Sequence, residues 1–226
     1  MKPNDSLITI FFSEEEVTIE GYHTDDLIFN KITSRKTFYE DRLLLKVKSL
    51  GLTGTYVDVG ANIGNHSIFF TRFCSSDHVI CFEIHESIFR ILQRNMDRNC
   101  VGESYDLQNI GIYSNKGIVD ISEIDNSNAG LTRITNLNGS QCMVDSLDNL
   151  ISDTNDITLI KIDIEGFELE VIKGATRILS EQSPVIIAEL ATDEEFSSFL
   201  DEVSKFGYKS DGINYAGTPT YFFQKP

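Results

Sequence analysis

The amino-acid sequence predicts an α/β fold built on a doubly wound, mostly parallel sheet, and three observations predict it. From Tyr56 onward, short apolar runs alternate with stretches of helical periodicity, the pattern that βαβ units leave in a sequence. The first of these runs continues as Tyr56-Val57-Asp58-Val59-Gly60-Ala61-Asn62-Ile63-Gly64-Asn65-His66, a buried strand entering a helix through a glycine bend. An acid, Glu83, then follows Gly64 by 19 residues. Doubly wound nucleotide sites place a carboxylate on ribose hydroxyls at an interval of about 20.

On this reading the chain divides into a hairpin-and-helix annex over 1–50 and a larger domain over 51–226. Leu7 to Phe12 and Val17 to Tyr22 are β-rich runs around the acidic Ser13-Glu14-Glu15-Glu16, predicting a hairpin with Leu27 to Phe29 as a third strand. Thr37 with Glu40 three residues on reads as a capping box. The helix it opens carries Phe38, Leu44, Leu45, Val47 and Leu50 and stops at Gly51. Strands are predicted at 56–59, 78–83, 106–112, 157–163 and 184–190, and helices at 65–74, 86–99, 166–179 and 193–206. The segment 113–145 breaks this alternation. Within it Ile118-Val119-Asp120-Ile121 reads as a further strand and Asp125-Asn126-Ser127-Asn128-Ala129-Gly130 as a polar loop. At the end, Gly207-Tyr208-Lys209 and Thr220-Tyr221-Phe222-Phe223 are suited to a closing antiparallel pair.

Composition narrows the function classes. A chain of 226 residues, 41% hydrophobic and 24% charged, suits one globular domain with a sizeable core. The formal net charge of −16 argues against nucleic acid or an anionic membrane as partner, since both would be repelled by the whole surface. A neutral or cationic ligand is easier to accept. Cys74, Cys81, Cys100 and Cys142 are widely spaced with no CxxC, the usage of buried thiols in a reducing compartment. There is no signal peptide, polybasic tail or apolar run of about 18 residues, so the expected location is cytoplasmic.

The bend around residue 60 makes an anion and nucleotide site. Gly60 and Gly64 let the backbone approach a ligand closely, and Asn62 tolerates the positive φ that such a bend needs. Asp58 is the part a phosphate-cradling loop lacks, and it points to a ligand with a cationic or hydroxyl-bearing end. In open α/β sheets ligands sit outside the carboxyl ends of the strands. The polar residues expected there are Asp58, Glu83, Asn109, Asp163, Glu165 and Glu189. A dinucleotide dehydrogenase would show G-x-G-x-x-G, which this loop does not.

Asp58-Val59-Gly60-Ala61-Asn62-Ile63-Gly64, Ile160-Lys161-Ile162-Asp163-Ile164-Glu165-Gly166-Phe167-Glu168 and Val171-Ile172-Lys173-Gly174-Ala175 together resemble the FkbM-like methyltransferases, class I enzymes that use S-adenosylmethionine. Ser146-Leu147-Asp148 and Pro184-Val185-Ile186-Ile187-Ala188-Glu189 fit the same pattern, and the resemblance runs from about Tyr56 to about Leu190. Its Asp-Ile-Glu-Gly block with Lys173-Gly174-Ala175 is more specific than the glycine loop. The resemblance implies a Rossmann-like, seven-stranded sheet with its last strand antiparallel, and the cofactor held across the first two strands. It also implies O-methylation of a hydroxyl on a sugar, glycan or other small metabolite. Carried over residue by residue, Asp58, Gly60, Ala61, Asn62 and Gly64 would hold the methionine part and Glu83, with Ile84 beside it, the ribose. Asn109 would meet the adenine amino group. Ile84-His85 is a departure, because many relatives have a proline nearby.

An alcohol must lose its proton during attack, so a carboxylate or imidazole within hydrogen-bond reach is expected. Asp163 and Glu165 are two apart and would point the same way on a regular strand, and His66 at the start of the loop's helix is a further candidate. Three readings stay open for the acidic pair. Asp163 binds the cofactor's amino end or Lys161 while Glu165 sits at the positive N-terminus of the next helix. Alternatively the pair supplies a general base, or a divalent cation is held by Asp163, Glu165 and Glu189, the reading not favoured because nothing in the sequence shows that the three converge. Methylation of nitrogen or of a protein side chain, and a non-catalytic nucleotide-binding module, compete with O-methylation. No motif names the acceptor or the oligomeric state.

Overall fold

The computed structural model describes residues 6–102 and 104–226, so the first five residues of the expected annex lie outside it. The hairpin forms, with a tighter turn than the sequence predicts: only Ser13 and Glu14 connect the strands, and Glu15 and Glu16 belong to the second one. Strands β1 (Leu7–Phe12) and β2 (Glu15–Glu20) pair antiparallel with Phe12 opposite Glu15, and alternation buries Ile10, Val17 and Ile19.

The expected third strand is instead helix α1 (Leu27–Arg35). Asp26 Oδ1 accepts from the Phe29 N–H at 2.9 Å, an N-cap, and Phe29 and Ile32 then fall on one buried face at helical spacing. The next helix, α2 (Asp41–Leu50), starts later than the capping-box reading placed it. Glu40 is left-handed at φ 57°, and its carboxylate turns to His66 rather than back to Thr37. Gly51, at φ 61°, ends the helix as expected.

The alternating region follows as β3 (Thr55–Val59), α3 (Asn65–Phe73), β4 (His78–Phe82), α4 (Glu86–Asn99) and β5 (Tyr105–Gln108). Here the predicted strand 106–112 divides. Asn109 Nδ2 donates to the carbonyls of Glu83 and Ile84, which turns the chain off the sheet edge after Gln108. The residues beyond, β6 (Gly111–Ile112), join a second sheet with β7 (Gly117–Ile121), β8 (Ile134–Asn136) and β9 (Cys142–Asp145), in the order β6-β9-β7-β8. This small sheet is the cap.

After α5 (Leu147–Leu150), β10 (Ile157–Ile162) returns to the main sheet. The predicted helix 166–179 is two, α6 (Glu168–Lys173) and α7 (Thr176–Glu181). They break at Gly174, where an added Cβ would meet the Tyr113 carbonyl at 2.6 Å, so the turn packs directly on the cap's backbone. Strand β11 (Val185–Glu189), helix α8 (Asp193–Ser204) and strands β12 (Lys209–Ser210) and β13 (Thr220–Gln224) complete the chain. The main sheet has seven strands in the order β12-β13-β11-β10-β3-β4-β5. Strands β5, β4, β3, β10 and β11 are parallel, and β13 runs antiparallel to β11 and β12, closing the sheet as the tail predicted. The strand order reverses between β3 and β10, the crevice where open α/β sheets bind ligands.

Each face of the sheet is covered. On one, Ile10, Val17 and Ile19 of the hairpin pack with Phe38, Leu44, Phe69 and Leu92. On the other, Leu147, Val171, Leu179, Phe199 and Val203 pack against Ile160 and Ile186. No helix among the described residues is long and apolar enough to cross a membrane.

Candidate functional site

A cleft of about 280 Å³ runs along the carboxyl ends of β4, β3, β10 and β11, lined there by Glu83, Gly60, Asp163 and Glu189. Its apolar wall comes from Phe82, Ile84 and Ile112, and the turn Ala129–Leu131 of the cap roofs it. That turn is tied to the annex, because Asp26 Oδ2 accepts from the Ala129 N–H and Leu27 N–H donates to the Ser127 carbonyl.

The glycine bend is held tightly. Gly60 and Ala61 N–H both donate to the Phe82 carbonyl, binding the bend to the neighbouring strand. Gly60 has φ 77°, and a Cβ there would overlap the Asp163 carbonyl oxygen, so glycine is required on both conformational and steric grounds. Asn62 takes positive φ at 50°, and its Oδ1 accepts from the Ile63 N–H.

Glu83, just beyond β4, joins this bend to the next loop. Its Oε2 accepts from the Asn62 N–H at 3.0 Å and its Oε1 from the His85 N–H at 2.8 Å. Burial pushes its carboxyl up to about 7, a shift those two N–H groups restrain. The two features singled out by spacing in the sequence are therefore in direct contact.

Asp58 does not line the cleft. It is fully buried beneath the bend, with Oδ1 3.2 Å from Lys161 Nζ and Oδ2 accepting from Ser67 Oγ at 2.6 Å. Lys161 also reaches Asp163 Oδ2 at 3.4 Å and the Gly60 carbonyl at 3.3 Å. Burial opposes its charge, but Asp58 and Asp163 more than compensate and hold it protonated. The trio is thus a strut under the loop.

The remaining candidates separate in the same way. Ala61 is buried, and the backbone of Gly64 at φ 91° faces Leu92 of α4. Asn109 spends its amide on two carbonyls and acts behind Ile84, which does line the cleft. His66 is buried 3.2 Å from Glu40 Oε2 and is not at the cleft wall. The expected regular strand under Asp163 and Glu165 ends at Ile162, and Glu165 is left-handed at φ 58°. Their loop is organised instead by Glu168, whose carboxylate accepts from the Ile164 and Gly166 N–H groups. Burial pushes Glu168 up to about 7. Both Asp163 and Glu165 line the cleft, and Glu165 pairs with Arg133 at 3.2 Å.

A second hollow of about 130 Å³ adjoins the first through Arg133, Asp163, Glu165 and Glu189. Among the described residues, no group of three or more His, Cys, Asp or Glu is placed to hold a metal ion. Arg133, Glu168 and Thr218 also border the hollows, and sequence reasoning does not single them out. Glu168 sat inside the quoted motif, but nothing local marks the other two.

Raised carboxyl groups give stability a definite pH sign. Glu83 binds a proton more tightly folded, at about 7, than its ordinary 4.5 when unfolded. Its contribution is favourable below 4.5 and is lost as pH rises through 7. Glu83→Gln is therefore expected to gain stability relative to the parent between pH 5 and 8, on the order of 3 kcal/mol at most. Urea unfolding at both pH values measures this, and an unchanged difference contradicts it.

The architecture is that of methyltransferases. Methyltransferase FkbM from Methylobacillus flagellatus superposes with a TM-score of 0.56 at 20% identity, covering 76% of this chain and 44% of its own. Trm1 from Pyrococcus horikoshii, solved with S-adenosyl-L-methionine, superposes with a TM-score of 0.53 at 12% identity, covering 96% and 61%. At these identities the likeness concerns the fold. The chain belongs to the methyltransferase FkbM domain family, whose pattern matches residues 58–210. The hexuronic acid methyltransferase AglP of Haloferax volcanii is 30% identical over 133 residues, 58% of this chain. The chain spans 53% of that relative's length, about half.

Proposed function

We propose that the chain transfers a methyl group from S-adenosylmethionine to a hydroxyl of a sugar, glycan or related small molecule. The observation that carries this reading is the cleft at the strand-order reversal, with the glycine bend and Glu83 in contact on one side and acidic groups on the other. Its residues fit the cofactor in kind. Glu83 suits ribose hydroxyls, and Phe82, Ile84 and Ile112 offer an apolar wall to a purine. The backbone at Gly60 and Asn62 with Asp163 suits the amino-acid end.

The cofactor supplies a methyl already activated on a positively charged sulfur. The protein's part is alignment, a contribution that can reach about 7–11 kcal/mol. The cap borders the cleft through Ala129 to Ile134. A sugar acceptor is supported by the hexuronic acid methyltransferase at 30% identity.

Radiolabelled methyl transfer tests this, using methyl glycosides of hexuronic acids, methyl glycosides of neutral sugars and simple amines as acceptors. Label on a glycoside hydroxyl is expected. Label on amines alone favours N-methylation, and tight cofactor binding with no transfer favours the non-catalytic module. Glu83→Ala is expected to weaken S-adenosylmethionine binding roughly ten- to hundred-fold, the worth of a charge-assisted hydrogen bond. Unchanged affinity in a titration removes Glu83 from the site.

A further inference from the structure

Three carboxylates stand where the cleft meets the second hollow, and two have a cation within ion-pair distance. Asp163 has Lys161 at 3.4 Å and Glu165 has Arg133 at 3.2 Å. Glu189, at the end of β11, lines both hollows and has no cation within ion-pair distance among the described residues. Among the described residues its carboxylate accepts one hydrogen bond, from Thr218 Oγ1 to Oε2 at 2.7 Å, which engages a single oxygen. We propose that Glu189 takes the proton from the acceptor hydroxyl, and that the positive charge of the bound cofactor is what readies it to do so. This rests on the S-adenosylmethionine reading above.

The surroundings explain the coupling. Glu189 faces Asp163 and Glu165 from the loop after β10 and Glu40 from the turn before α2. Tyr39 beside Glu40 lines the same cleft, and Glu168 and Glu195 border the second hollow. The cations nearby are committed elsewhere, Lys161 to Asp58 and Asp163, and Arg133 to Glu165. Burial and then the Asp163 charge push the Glu189 carboxyl up to about 8, so it holds a proton near neutral pH. A sulfonium in the cleft adds a positive charge to this acidic corner and favours the ionised, basic form. The transfer then forms one oxygen–carbon bond and breaks one carbon–sulfur bond, whose electron pair stays on sulfur. The hydroxyl proton moves to Glu189. Because the positive charge has vanished at the same moment, the carboxyl again prefers to be protonated, and the proton leaves to solvent in the next cycle.

The test needs no acceptor. S-adenosylmethionine and S-adenosylhomocysteine differ in the sulfonium charge, so their binding is compared by calorimetry at pH 7.5 in two buffers of different ionisation enthalpy. The charged ligand is expected to release on the order of half a proton more than the neutral one. Any response of Glu83 to the same charge is retained in Glu189→Gln and serves there as the baseline. In Glu189→Gln the difference is expected to fall by that half proton while S-adenosylhomocysteine affinity stays within threefold, which also reports that the variant folds. A difference that survives undiminished in Glu189→Gln, or none in the parent, overturns the proposal and leaves the cofactor reading standing. Failure of both ligands to bind the parent sinks the cofactor reading itself and this inference with it.

Discussion

Lys161→Met is expected to be the most destabilising single substitution near the site, lowering stability by about 3–5 kcal/mol. Lys161 is 4% exposed and lies between Asp58, which is fully buried, and Asp163. Removing the ammonium leaves the Asp58 charge in an apolar interior with only the Ser67 hydroxyl to solvate it. It also removes the donor on the Gly60 carbonyl, so the bend loses its support from below. The double variant Asp58→Asn with Lys161→Met is expected to recover part of the loss, because it deletes the uncompensated charge. Urea unfolding at pH 7 measures both. A loss under about 1 kcal/mol, the range of an exposed ion pair, contradicts the strut.

Gly60→Ala is expected to abolish most cofactor binding, weakening it by about 100-fold or more, equivalent to ~2.7 kcal/mol. The substitution meets two obstacles together. At φ 77° an alanine is strained, and its Cβ would press on the Asp163 carbonyl and on Ile164 Cγ2 at 2.9 Å. The bend and the Asp163 loop must move apart, and both line the cleft. Gly51→Ala is the matched control, since Gly51 has φ 61° and nothing within 4 Å of an added Cβ. It is expected to cost about 1 kcal/mol through its backbone and to leave binding unchanged. Titration of both variants with S-adenosylhomocysteine, alongside their circular dichroism, checks the pair. Equal behaviour contradicts the steric argument.

Much of the site was legible where chemistry and topology are local. The bend and Glu83 lie in one βαβ unit, so a spacing of residues was enough to bring them together, and the Asn62 N–H meets the Glu83 carboxylate. Elsewhere local patterns had two solutions. Leu27-Ile28-Phe29 is too short to reveal a period, and the deciding signal was Asp26 as an N-cap. Thr37 and Glu40 have the spacing of a capping box, but tertiary contacts claim Glu40. Asn65 brackets the Tyr39 backbone with Oδ1 and Nδ2, docking that turn on α3 and bringing Glu40 to His66. Arg133 reaches the cleft through the cap, whose register, with Ile118 opposite Met143, is set by non-local pairing. Thr218 arrives from the far end of the chain, 29 residues beyond Glu189. No pattern within a window of sequence encodes such meetings.

The central claim is that the cleft beside the glycine bend holds a sulfonium nucleoside. Calorimetric titration of the purified chain with S-adenosylmethionine, S-adenosylhomocysteine and NAD tests it most directly. Saturable binding of the first two at one site, with little or no heat from NAD, is the expected result. Preference for NAD, or no binding of either adenosyl ligand, would contradict the account.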